Sequence, residues 1–283
     1  MSDYLTNAVL GPISAESSGT TDPALATRLR TMTPARVGLR RAGTSVATSE
    51  VLDFQLAHGR ARDAVHAPLQ PTGILAALRN LKAPEALLLH SSAKDRTTYL
   101  QRPDLGRTLD EASIQRLTKF SATRKSNPSG LVFVIADGLS ALAVERHAVP
   151  VLTELLPALE RSSLHLRETQ MCIFEQARVA IGDEIGQLLS SCLVVVLIGE
   201  RPGLSSPDSL GAYITWNPQP GRTTDAERNC ISNIRAEGLS YAEAAARLLF
   251  YIQEAHKRQL TGVALKDPDL ATQQSALEAG SEA

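Results

Sequence analysis

The chain has 283 residues, enough for one large domain or two modest ones, with 43 % hydrophobic and 21 % charged residues, an ordinary globular composition. Its 29 basic and 30 acidic side chains leave a net charge of −1, which gives no electrostatic basis for nucleic acid or an anionic membrane as partner. No apolar run reaches membrane-spanning length, no basic region leads into an apolar core at the amino terminus, and the three cysteines (Cys172, Cys192, Cys230) are too few and too scattered for a disulfide framework. These features suit a reducing cytoplasm.

Residues 1–22 are rich in Ser, Thr and Gly without sustained period, and predict a flexible tail. Residues 23–86 predict a small helical region, with Val51, Leu52, Phe54 and Leu56 followed by Ala61, Ala64 and Val65. From 87 to 266 short β-branched runs alternate with amphipathic stretches. Leu131–Ala136, Met171–Phe174 and Leu193–Ile198 are apolar on both faces, as in strands covered by helices on both sides. Ala212–Trp216 alternates and belongs nearer an edge. Thr108-x-x-Glu111 and Ser240-x-x-Glu243 fit capping boxes, and Pro150 suits the first turn of a second helical piece. After Ser240, Ala242, Ala245, Leu248, Leu249 and Ile252 share one stripe. The fold expected is α/β: a doubly wound, mostly parallel, Rossmann-like sheet behind a small helical N-terminal region, with a polar tail at 267–283.

Open parallel sheets bind ligands beyond the carboxyl ends of their strands. Three segments lie there: Asp137-Gly-Leu-Ser140, Glu175 to Ile181, and Gly199-Glu-Arg-Pro-Gly203. Ser140 invites comparison with a nucleophile elbow and His147 with its base, but the flanking Gly-x-Ser-x-Gly is missing. Gly138 as a tight turn, Ser140 as a helix N-cap and His147 as a packing or surface residue suffice. The Gly199–Gly203 loop is either a turn with a solvated ion pair or a polar rim whose backbone approaches a large ligand. Cys230, alone in a polar stretch, is a packing residue unless a cation or histidine lies beside it in space. No Cys/His cluster has metal-ligand spacing, and neither a dinucleotide fingerprint nor a phosphate-cradling loop occurs.

Five blocks then stand out in order: Arg102-Pro-Asp-Leu-Gly-Arg107, Asp137-Gly-Leu-Ser140, Arg178-Val179 before Ile181-Gly-Asp-Glu-Ile185, Gly199-Glu-Arg-Pro-Gly-Leu204, and Cys230-Ile-Ser-Asn233. Together, from about Pro34 to Lys266, they make the chain resemble the small subunit of ethanolamine ammonia-lyase. The resemblance implies a partner, a barrel-shaped large subunit, and a shared adenosylcobalamin between the two chains. It implies that Val179, Glu200 and Cys230 contact the cofactor, that this chain supplies no catalytic residue, and that it is inactive alone. Because the sequence lacks the Asp-x-His-x-x-Gly pattern that brings a histidine to cobalt in other corrinoid folds, no cobalt ligand is expected from it. The implied reaction turns 2-aminoethanol into acetaldehyde and ammonia, in the cytoplasm or inside a bacterial microcompartment. A self-sufficient α/β hydrolase using Ser140 and His147, and a non-catalytic corrinoid-binding scaffold, are the two rival readings.

Overall fold

The structure, a computed structural model, describes residues 23–33, 35–123, 130–162 and 169–267. The tail expected at residues 1–22 and, apart from Asp267, that at 267–283 lie outside them. The chain divides after Gly59 into two compact units. In the first, α1 (Pro23–Met32) is followed by strands β1 (Arg41–Ala42) and β2 (Ser45–Val46), which pair antiparallel. The two-residue connection Gly43-Thr44 has the length and the leading glycine that a tight hairpin favours, so a small hairpin interrupts this otherwise helical stretch. Arg30 organises the unit, donating to Glu50 at 2.7 Å and to the carbonyls of Val37 and Gly38 at 3.2 and 3.1 Å. Helix α2 (Thr48–His66) begins here and ends in the second unit.

The second unit is mixed α/β. Its strands are β3 (Ala86–His90), β4 (Leu131–Ala136), β5 (Thr169–Glu175), β6 (Leu193–Gly199), β7 (Leu210–Trp216) and β8 (Arg228–Ile234). Its helices are α3 (Pro71–Asn80), α4 (Arg96–Gln101), α5 (Glu111–Thr123), α6 (Ala141–Glu160), α7 (Ile181–Leu188) and α8 (Tyr241–Arg258). The sheet order is β3-β5-β4-β6-β7-β8, parallel through β6 and antiparallel for β7 and β8. The chain thus moves outward from β4 in both directions, and the ends of β4, β5 and β6 lie side by side.

Alternate strand residues feed two cores. Phe133, Ile135, Val195, Leu197, Ala212 and Ile214 pack beneath α6, α8 and α3. Val132, Val134, Val194, Val196 and Phe174 point the other way, beneath α5 and α7. Every residue of β4 and β6 is buried, and each large aliphatic one contributes roughly 1.5–3 kcal/mol on leaving water. No helix among the described residues is long and apolar enough to cross a membrane.

Two local expectations need correction. Asp110, not Thr108, caps α5, accepting from the Ser113 amide at 2.7 Å. Thr108 is extended after a 3-10 turn, and Leu109 bridges to Ser91, so the helix cannot start two residues earlier. Pro150 opens no second helix, because α6 runs unbroken through both Pro150 and Pro157. An interior proline costs about 3 kcal/mol. Burial of Val144, Ala148, Val151, Leu152, Leu155 and Leu159 against the sheet outweighs that. The Ser240 capping box forms as expected, with Ser240 and Glu243 each accepting from the other's amide.

The edge strand β8 was not foreseen, because its sequence Arg-Asn-Cys-Ile-Ser-Asn-Ile is mostly polar. The polar residues are accommodated separately. Arg228 forms a bidentate pair with Asp183 of α7, at 2.9 and 2.7 Å. The Asn229 side chain donates to the carbonyls of Gly262 and Leu265 and accepts from the Gly262 amide, so a following segment covers the strand.

Candidate functional site

The loops after β4, β5 and β6 are locked to one another. Gly138 adopts φ +55, and a side-chain carbon there would stand 2.2 Å from the Gly199 carbonyl oxygen. That oxygen accepts from the Leu139 amide at 2.9 Å, tying the β4 loop to the end of β6. Ser140 caps α6 and donates to the Pro207 carbonyl at 2.9 Å. Its hydroxyl is buried and committed, and the ring of His147 contacts other partners: Nδ1 lies 2.9 Å from the Tyr241 hydroxyl and Nε2 3.4 Å from the Asp208 carboxylate. Burial pushes His147 below its ordinary value, against the pull of Asp208. Ser140 and His147 are therefore structural supports of the post-β6 loop.

Glu200 begins that loop and turns onto the sheet face shared with α7. Its amide donates to the Ser209 carbonyl at 2.9 Å, and its Oε2 accepts from the Ser209 hydroxyl and, at 3.2 Å, from the Asn233 amide. Asn233 can donate there because β8 carries one extra residue against β7 between Ile231 and Ile234. Such a bulge re-aims the backbone, and Asn233 adopts φ +60 within it. The carboxylate lies over Gly211, where a side-chain carbon would stand 3.0 Å from Oε1.

Cys230 lies directly opposite Tyr213 across the β7–β8 ladder. The two side chains are cross-strand neighbours on one face of the ladder, and Glu200 is close enough to act on both electrostatically. Cys230 is exposed. Its thiol is nonetheless raised above the usual cysteine value, first by desolvation among its neighbours and then by the Glu200 charge, with the neighbouring Tyr213 hydroxyl opposing. Burial raises Tyr213 more strongly.

Val179, in the loop between β5 and α7, is half-buried and packs against the core that Tyr213 also contacts. The main chain around it is held from below. The Tyr99 hydroxyl donates to the Ala177 carbonyl at 3.0 Å, and the Arg178 amide to the Gly106 carbonyl at 2.7 Å. The Arg178 guanidinium stacks over the Tyr99 ring at 4.3 Å, and its buried Nε has no acceptor among the described residues.

Glu200, Cys230 and Val179 thus share one face of the sheet, Glu200 and Val179 in the loops after β6 and β5 and Cys230 within β8, level with Val196 through Tyr213. The Glu200 charge reaches both Tyr213 and Cys230. Tyr213 escaped sequence reasoning, although its place in the alternation of Ala212–Trp216, opposite in parity to Ala212 and Ile214, was the available signal. Two clefts elsewhere, one beside α3 and β3 and one beyond the end of β7 against the segment that follows α8, contain none of these residues.

Residues 23–266 match the family model described as "Ethanolamine ammonia-lyase light chain (EutC)". The chain belongs to this family. It is 55 % identical over 256 residues to the ethanolamine ammonia-lyase small subunit of Pseudomonas fluorescens (strain Pf0-1), covering 90 % of each chain. It is 56 % identical over 239 residues to that of Pseudomonas aeruginosa (strain LESB58), covering 84 % of this chain and 86 % of the relative. With the Pseudomonas syringae pv. tomato protein of the same name, identity is 56 % over 241 residues, covering 84 % and 82 %. The ethanolamine ammonia-lyase light-chain blocks now have structural meanings. Arg102–Arg107 supports Arg178 through the Gly106 carbonyl, and Ile181–Ile185 carries Asp183 to Arg228. The Gly199–Leu204 block carries Glu200, and Cys230–Asn233 supplies both the thiol and the bulge amide.

Proposed function

We propose that this chain is the small subunit of an adenosylcobalamin-dependent ethanolamine ammonia-lyase and forms one wall of a cofactor site completed by a large subunit. On this reading residues 87–266 are a doubly wound, Rossmann-like cobalamin-contacting domain, residues 23–86 an N-terminal region, and the protein works in the cytoplasm, within a microcompartment where the cell builds one. The observation that carries the reading is the sheet face on which Tyr213 and Cys230 stand opposite each other within reach of the Glu200 charge, with Val179 packed on the same side.

The residues present fit the group. A corrin is a broad, largely apolar ring edged with amide side chains. Glu200 offers a carboxylate that a primary amide can donate to, and Val179 and Cys230 offer apolar and soft contact. When bound, the cofactor supplies the radical that takes hydrogen from 2-aminoethanol, which leaves as acetaldehyde and ammonia. This chain's own part is to bind, to orient and to exclude water from one side. Its rigidity suits that part, because Glu200 is already held by Ser209 and Asn233 and loses little freedom on binding.

A surface that covers one side of so large a ligand leaves the rest in water, so affinity depends on the second wall. The test is ammonia release from 2-aminoethanol by each subunit alone and by the two mixed, with adenosylcobalamin. Activity is expected only from the mixture, with cofactor binding appearing together with it. Turnover by this chain alone would overturn the proposal. Cobalamin binding indifferent to the large subunit would favour the corrinoid-binding scaffold.

A further inference from the structure

The Asp137 carboxylate, 1 % exposed at the end of β4, is committed to the loop that follows β5. Its Oδ2 accepts from the Gln176 amide at 2.9 Å and its Oδ1 from the Ala177 amide at 3.1 Å. Arg96, at the start of α4, completes the arrangement. Its Nη1 donates to Asp137 Oδ2 at 3.2 Å and to the Gly138 carbonyl at 2.8 Å, and approaches Gln176 Oε1 at 3.4 Å. Its Nε donates to the Val65 carbonyl at 2.7 Å. Gln176 is held at φ +60, a conformation that side-chain-bearing residues keep only where their surroundings impose it. The two consecutive amides captured by Asp137 are what impose it here. With the Ser91 hydroxyl donating to the Gln176 carbonyl at 2.6 Å, the Tyr99 bond to the Ala177 carbonyl and the Gly106 bond to the Arg178 amide, the main chain entering Arg178 and Val179 is fixed at five successive groups.

A buried ion pair is weak evidence for stability, since an apolar pair of the same volume often does as well; what it supplies is a defined geometry. We propose that Asp137 and Arg96 are positioning residues for the cofactor: their ion pair sets the main chain of residues 176–178 and thereby places Arg178 and Val179 on the cobalamin-facing surface. The inference rests on the reading of that surface given above. The charged groups facing Asp137 are Arg96 and, across the Tyr99 ring, Arg178. Burial lifts the Asp137 carboxyl to about 6, against the pull of Arg96 and of the Gln176, Ala177 and Gly138 amides. The carboxylate that holds the loop is therefore ionised at neutral pH and lost in mild acid.

The experiment uses the complex with the large subunit and compares wild type with Asp137→Asn, Arg96→Gln and, as reference, Glu200→Ala and Val179→Asp. Binding of adenosylcobalamin and of cyanocobalamin is measured by visible absorbance, alongside kcat at saturating cofactor, across the acid-to-neutral range. Asp137→Asn and Arg96→Gln are expected to weaken cofactor binding about tenfold at neutral pH while kcat at saturation stays within about threefold. Wild-type binding should weaken further as pH falls through about 6, and Asp137→Asn should lack that step. Should Asp137→Asn fail to assemble, Arg96→Gln decides by its affinity and its split between binding and kcat. Normal binding in the two positioning variants, with Glu200→Ala and Val179→Asp impaired, overturns this inference alone. Normal binding in all four overturns the cofactor-wall reading with it.

Discussion

Replacing Asp183 by alanine strips one partner from a pair that is buried on both sides. The Arg228 and Asp183 side chains are 3 % and 4 % exposed. Without Asp183, Arg228 keeps only the Thr215 hydroxyl at 3.1 Å and the Asp225 carboxylate, which is fully exposed and 3.6 Å away. A solvated carboxylate at that distance offsets little, so the guanidinium is left buried and uncompensated at a cost of roughly 3–5 kcal/mol. At ~2–4 °C of melting temperature per kcal/mol for a domain of this size, the variant should melt about 6–20 °C lower. Because the pair is the cross-link between α7 and β8, the strand bearing Cys230 should loosen first. The double variant Asp183→Leu, Arg228→Met removes both charges and fills similar volume, and should recover at least about half of the loss. Thermal and urea unfolding of the full chain, followed by far-UV circular dichroism, measures both. A single variant within about 1 kcal/mol of the parent, or a double variant no better than the single, would refute the reasoning.

Glu200→Ala should weaken cobalamin binding by roughly 1–3 kcal/mol in the assembled complex, with an unchanged far-UV spectrum; unchanged affinity would remove Glu200 from the cofactor surface. Ser140→Ala should cost about 1 kcal/mol of stability as a lost N-cap, and neither it nor His147→Ala should move turnover by more than about tenfold. A ~10⁴-fold loss would revive the hydrolase reading. Cys230 should be alkylated by iodoacetamide more slowly than a free cysteine, because desolvation and the Glu200 charge both favour the protonated thiol. Glu200→Gln removes one of those causes, lowers the thiol pKa and should speed alkylation at Cys230, as followed by peptide mapping; an unchanged or slower rate would show that Glu200 does not act on the thiol.

The strands buried on both faces were legible because nothing but packing determines them: Leu131–Ala136 and Leu193–Gly199 are buried at every position. Post-strand loops followed from them, and the family resemblance singled out Glu200 and Val179 within those loops. Ser140 and Ser240 were legible as caps because a cap is a local bond between near neighbours in sequence. Thr108 misled because its competing partner, Ser92, which donates its amide to the Thr108 carbonyl at 2.9 Å and accepts from the Thr108 hydroxyl at 3.1 Å, is remote in sequence.

What lies outside local pattern was settled only in three dimensions. Strand β8 forms although its sequence is polar, because Asp183 neutralises Arg228 from another element and the Gly262–Leu265 segment satisfies Asn229. Helix α6 runs through two prolines because its apolar stripe lies on the sheet. Tyr213 meets Cys230, and Asp137 meets Arg96, by pairings of chain segments far apart in sequence. The sequence by itself determined the strands buried on both faces, the loops at their carboxyl ends and the ordered blocks that mark the family, since each depends on neighbours along the chain. The tertiary structure decided which of those loops touch, how the Glu200 carboxylate is held and what sets the conformation of Gln176, since hydrogen bonds and ion pairs depend on distances of a few ångströms that no spacing along the chain encodes.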